Sequence, residues 1–149
     1  MADKYFDRQE AERLLPTLRP WLEEARAEKQ RIDAFKSELT QAVSRIMVLG
    51  GTFPPFAELL QKRSEHDKAA NRLVEIIKRI QETGCVVKDL DQGLVDFPSL
   101  LEGEEIYLCW KLDEAHVDFW HSIDEGFAGR KPLDTPPPDR TPPQGPRLQ

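Results

Sequence analysis

Residues 84–98 read GCVVKDLDQGLVDFP, and the fold turns on them because here a helical pattern gives way to an extended one. Gly84 is the residue type that closes a helix. After it, Cys85-Val86-Val87-Lys88 and Leu94-Val95-Asp96-Phe97 flank Asp91-Gln92-Gly93, a loop with glycine where positive φ is required. The spacing predicts a β-hairpin whose second strand stops at Pro98. Gly103 marks a further turn, and residues 106–110 form a third predicted strand, with Tyr107 and Cys109 on one face and Ile106, Leu108 and Trp110 on the other. Residues 117–121 alternate Val117, Phe119 and His121 against His116, Asp118 and Trp120. That stretch suits a strand or a short helix, because periodicity alone does not separate the two.

Upstream the pattern is helical. Asp7 and Glu10 have the spacing of a reciprocal cap, and Phe6 is placed to staple onto Ala11, so a helix begins at about residue 8. Pro16 removes a backbone donor from the interior of that helix and predicts a kink or break; Pro20 suits the first turn of a renewed helix. Apolar residues then recur at heptad spacing. Leu18, Ala25, Ile32, Leu39 and Ile46 make one row, and Leu15, Leu22 and Val43 the other, interrupted by Lys29 and Lys36. The run GGTFPP at 50–55 ends that helix and starts a second, over about 54–83, with the stripe Phe56, Leu59, Leu60, Ala69, Ala70, Leu73, Val74, Ile76, Ile77 and Ile80. Two helices of about 30 residues joined by a short loop make an antiparallel hairpin about 45 Å long. Folding it at residues 51–52 sets Lys36 opposite Asp67 and beside His66, a charged layer of the kind that fixes register.

Composition narrows the class. A chain of 149 residues fits one domain and buries roughly two-thirds of its extended surface. It carries 32% charged and 39% hydrophobic residues, no apolar stretch long enough to span a bilayer, and no apolar secretory segment at its start, which sets the cytoplasm as the expected compartment. A net charge of -6 without a basic stripe argues against nucleic acid as the main partner. Two cysteines, Cys85 and Cys109, are no disulfide framework; both sit in apolar runs and read as buried thiols. The tail at 134–149, DTPPPDRTPPQGPRLQ, is Pro-rich and polar, the composition of an extended or disordered segment.

The chemistry-bearing residues crowd into residues 84–133, which hold Trp110, Trp120, both cysteines, His116 and His121. Zinc or iron chemistry needs imidazoles and carboxylates to converge on one point. His121 and Glu125, completed by Asp96 and Asp91 from the hairpin, are the candidate ligands for a divalent metal ion; His116, Asp118 and Asp89 are nearby alternatives. On a strand His116 and His121 face opposite sides, and His121 meets Glu125 only across a helical turn. Each also has a structural explanation, since short acids satisfy turn amides. Cys109 becomes a nucleophile only with a histidine such as His121 beside it on an adjacent strand. The run Gly126-Phe127-Ala128-Gly129-Arg130 lacks a dinucleotide or P-loop fingerprint. Its amides with Arg130, alongside Trp120, are the candidate anion or cofactor contacts; a turn anchored by Phe127 is the structural counterpart.

The strings GCVVKDLDQGLVDFP, IYLCWKLDEAHVDFWH and DEGFAGRKPL, with YFDRQEAERLLPTLRPWLEE near the start, resemble the bacterial family called domain of unknown function 2203. The resemblance implies a bacterial cytoplasmic protein and carries over no catalytic residue. It singles out DLDQGLVDF, LCW, WH and GFAGR, and so agrees with a site among Asp89, Asp91, Asp96, Cys109, Trp110, Trp120, His121, Glu125 and Arg130.

The expected protein is α+β: residues 8–83 a helical hairpin, 84–133 a small β-rich cap, and 134–149 a tail. Two helices leave part of their apolar stripe uncovered, which predicts a homodimer and a non-enzymatic scaffold or interaction module. A metal-dependent enzyme, a hydrolase using an ion near His121 and Glu125, is the alternative.

Overall fold

Asp7 and Glu10 open the first helix as the sequence requires. The Glu10 amide donates to the Asp7 carboxylate at 2.7 Å, the Asp7 amide donates back to Glu10 at 3.0 Å, and Phe6 is buried beneath them. The computed structural model describes residues 4–49 and 56–133; the expected inter-helix loop and the Pro-rich tail lie outside them. Helix α1 covers Arg8–Leu49 and α2 covers Phe56–Glu82. Of the kink or break expected at Pro16, the break does not occur: α1 runs through both Pro16 and Pro20 as one helix. Both prolines are exposed, so the carbonyls they leave without a helical donor, one turn back on the same face, lie on the solvent side.

Five strands complete the chain: β1 Val86–Asp89, β2 Leu94–Leu101, β3 Glu104–Lys111, β4 Phe119–Ser122 and β5 Lys131–Pro132. They pair antiparallel in chain order. Between β1 and β2, Gly93 takes φ 67°, and a Cβ there would stand 2.5 Å from that of Leu112. Glu102 and Gly103, both at positive φ, close the two-residue turn from β2 to β3. Pro98 does not end β2, which continues to Leu101. Its partner on β3 is Tyr107, while β1 pairs only with residues 94–96, so the missing N–H of Pro98 falls on an open edge where its carbonyl accepts the Phe6 amide at 2.7 Å.

One face of the sheet packs on the helices. Val95 and Phe97 from β2, Leu108 and Trp110 from β3, and Leu18, Leu22 and Ile80 from the helices are fully buried against one another. Each such side chain contributes roughly 1.5–3 kcal/mol of burial. Arg19 in α1 donates to the carbonyls of Leu112, Glu114 and Ala115, and Arg8 donates to Val117 and Asp118, so the first turns of α1 hold the β3–β4 connection. Away from the sheet the hairpin relies on its own contacts. The middle layer differs from the expected one: Phe35 rather than Lys36 meets His66, with ring centroids 4.9 Å apart, and Lys62 pairs with Glu38 at 3.0 Å. Lys29, which interrupts the heptad row, bridges Asp33 and Asp91 and ties α1 to the β1–β2 turn.

Candidate metal centre

The second face of the sheet points away from the helices, yet at its middle three polar side chains are buried. Asp96 on β2 lies directly across from Cys109 on β3, and His121 on β4 lies across from Tyr107, diagonal to Cys109. Register and side-chain alternation therefore put Asp96, Cys109 and His121 on one face of three adjacent strands. They are 1%, 0% and 2% exposed. Among the described residues they are the group of metal-ligating side chains whose donor atoms all fall within 4.8 Å of one another.

Hydrogen bonding fixes the imidazole. Nδ1 lies 2.8 Å from the Ser122 carbonyl, which only accepts, so Nδ1 carries a proton. Nε2 then faces both carboxylate oxygens of Asp96, each at 3.1 Å. Burial pushes the Asp96 carboxyl above the ordinary range, opposed by the charge and hydrogen bond of His121. Burial, and then the adjacent Asp96 charge, push the Cys109 thiol up to about 12. With no ion beside it the sulfur is thereby held towards the thiol, against the activation that a neighbouring histidine gives a nucleophile.

Arg130 closes one side of this cluster. Its guanidinium stacks 4.0 Å from the Phe119 ring and 4.5 Å from Phe127, donates to Glu114 at 2.8 and 2.9 Å, and donates to the Cys109 carbonyl at 3.2 Å. The pairing of Arg130 with an acidic neighbour is the one the structural reading of GFAGR expects, whereas Phe127 is exposed rather than anchored on the core. Trp120 points to the helix-facing side of the sheet, partly buried against the core, with Lys131 over its ring at 4.8 Å. Tyr107 is tilted on His121 with centroids 5.5 Å apart, and the Lys88 ammonium stands 5.0 Å from the centre of its ring.

The remaining candidate ligands go elsewhere. Residues 119–122 form a strand, so no helical turn joins His121 to Glu125; the Glu125 carboxylate instead takes Lys131 and the Ser122 amide, and those bonds, led by Lys131, hold it down at about 2. Asp91 pairs with Lys29, Asp89 caps the turn at Gln92, His116 pairs with Glu12, and Asp118 pairs with Arg8. Tyr107 and Glu114 border the cluster without being singled out by the sequence. Parity is the signal that finds Tyr107, since Asp96, Tyr107, Cys109, Phe119 and His121 share one face of a meander once the turns at Gly93 and Gly103 are set.

A helical hairpin seated on one face of a five-stranded antiparallel meander, with a buried Asp–Cys–His cluster on the other, defines the class. The model of the uncharacterized conserved protein family DUF2203 matches residues 4–133, and the chain belongs to that family. No curated protein matches the chain, and no solved structure does. Among the described residues no helix is long and apolar enough to cross a membrane.

Proposed function

We propose that the protein is a non-enzymatic interaction module of the bacterial cytoplasm whose helical hairpin pairs with a second copy of itself. The observation that carries this reading is the loss of burial along the heptad rows of α1. Leu18, Leu22 and Ala25, above the sheet, are 0% exposed, whereas Leu39 is 42% and Val43 50% exposed further out. On α2, Leu60 is 64% exposed in the same outer half. The heptad spacing that buries the inner rows thus continues at positions that the described residues cover only in part. Two hairpins laid together as a four-helix bundle bury such rows with little new structure. The outer half also presents both signs of charge, with exposed Lys36 and Arg45 on α1 and exposed Glu58 and Glu65 on α2, which a two-fold contact can pair.

The alternative, a metal-dependent hydrolase built on His121 and Glu125, has less support, because the Glu125 carboxylate is engaged by Lys131. Light scattering at high micromolar concentration tests the self-association. The expected mass is twice that of the chain for the parent protein and that of a single chain for Leu39→Glu with Val43→Glu, at unchanged helical content. A parent that stays monomeric, or a dimer indifferent to those two changes, defeats the reading.

A further inference from the structure

We propose that Asp96, Cys109 and His121 are the ligands of one divalent transition-metal ion of the zinc class, bound through a carboxylate oxygen, a thiolate sulfur and Nε2 of the imidazole. The site lies on the sheet face opposite the helices and is independent of how the hairpin associates. Its geometry comes first. Nitrogen and oxygen donors about 2.0–2.1 Å from a tetrahedral ion stand roughly 3.3 Å apart, and a sulfur at about 2.3 Å stands roughly 3.6 Å from each. Nε2 already lies 3.1 Å from both Asp96 oxygens, and the sulfur lies within 4.8 Å of the other donors. Closing the sulfur side from 4.8 Å to roughly 3.6 Å takes a movement of about 1.2 Å at most, within the reach of a side-chain rotation.

The equal 3.1 Å distances from Nε2 to the two carboxylate oxygens form a fork rather than one well-aimed hydrogen bond. The imidazole is also held as a ligand is held: Nδ1–H donates to the Ser122 carbonyl, the outer bond that fixes the tautomer and leaves Nε2 free to coordinate. All three donors come from paired strands, so their backbone positions are set before any ion arrives. Charge agrees. Binding displaces the Cys109 thiol proton to solvent, after which a divalent ion with one thiolate, one carboxylate and a neutral imidazole sums to zero, and the neighbouring Arg130 is already matched by Glu114. Mixed sulfur, nitrogen and oxygen donors select zinc-like ions over magnesium or calcium, and three protein ligands leave a fourth position for water or an external donor.

The test uses the full chain without a histidine tag, dialysed against zinc or cobalt(II) and then against metal-free buffer. The parent protein is expected to retain one ion per chain, and the cobalt form to show a thiolate-to-metal band in the near ultraviolet. Cys109→Ser should abolish that band and Cys85→Ser should keep it. His121→Gln and Asp96→Asn should weaken binding by more than the roughly 10–100-fold that loss of an outer-shell partner costs. Glu125→Gln and Asp91→Asn should bind as the parent does. Sub-stoichiometric retention by the parent, a cobalt spectrum without the thiolate band, or a band that survives Cys109→Ser overturns the proposal. If circular dichroism shows that a ligand variant does not fold, the parent's stoichiometry and cobalt spectrum decide alone.

Discussion

Replacing Gly93 with Ala tests how the sheet is held in register, and Gly103→Ala supplies the reference. Both glycines have positive φ, 67° and 80°, so each alanine meets the left-handed penalty of about 1–2 kcal/mol. They differ in what surrounds the new methyl group. At Gly103 nothing lies within 4 Å, whereas at Gly93 the added Cβ would stand 2.5 Å from Leu112 Cβ and 3.3 Å from its Cδ2. A rotamer change relieves contact with Cδ2 but not with Cβ, which moves only with the backbone of the segment after β3. Overpacking of that kind costs about 1–3 kcal/mol more. Gly93→Ala should therefore lose roughly 2–5 kcal/mol against about 1–2 kcal/mol for Gly103→Ala, a large share of the roughly 5–15 kcal/mol that holds a domain together. Urea unfolding followed by the fluorescence of buried Trp110 measures both. The clash also strains the Leu112 amide to Gly93 carbonyl bond of 2.9 Å, at the end of the ladder that sets Asp96 across from Cys109. Equal losses at the two positions, or a smaller loss at Gly93, would refute the packing described for the β1–β2 turn.

Two further outcomes concern the titrating groups. Cys85 and Cys109 are both buried and both raised above the ordinary thiol range by burial, so native protein at neutral pH should leave an aromatic disulfide reagent unreacted, while urea releases two equivalents; a fast native equivalent that disappears in Cys109→Ser refutes the burial of the outer face. Glu125, held at about 2 chiefly by Lys131, should titrate near that value by carboxyl NMR and return towards the usual range in Lys131→Met. Because its folded value lies below the unfolded one, its contribution to stability is present above the ordinary glutamate range and is lost as the pH falls towards about 2. A midpoint above 4 in the parent would show that the ion pair does not form in solution.

The elements legible in the sequence are those whose signals are local. The Asp7–Glu10 cap, the glycine turns and the change of period after Gly84 each depend on residues a few positions apart, and each stands in the structure at the expected place. Pro16 and Pro98 depart from expectation for one reason: a proline interrupts an element only where it leaves a backbone group buried without a partner. Solvent exposure at Pro16 and an open sheet edge at Pro98 remove that condition, and neither is visible without the tertiary fold. The hairpin register is similarly out of reach, since whether Phe35 or Lys36 meets His66 depends on loop geometry rather than on heptad spacing. At the site, the sequence pairs His121 with Asp96, and the structure brings the two together. Nearness along the chain adds Glu125 and Asp91 to them, whereas the meander groups residues by strand parity and register, which brings in Cys109 and turns Glu125 towards Lys131.

Parity also bears on what the outer face is for. Positions 96, 109 and 121 are buried on this face, and Val, Leu or Ile there would pack without desolvation cost. Replacing a buried polar pair by well-packed apolar residues is often neutral or stabilising by about 1–4 kcal/mol. Asp96 and His121 thus hold their places against a packing alternative that stability alone would favour. Cys109 adds little to that pair as a hydrogen-bond partner, since a thiol is a weak donor. A carboxylate, a thiol and an imidazole whose second nitrogen is tied back to a carbonyl have a common rationale when all three converge on a single cation, the circumstance in which each supplies what the others lack.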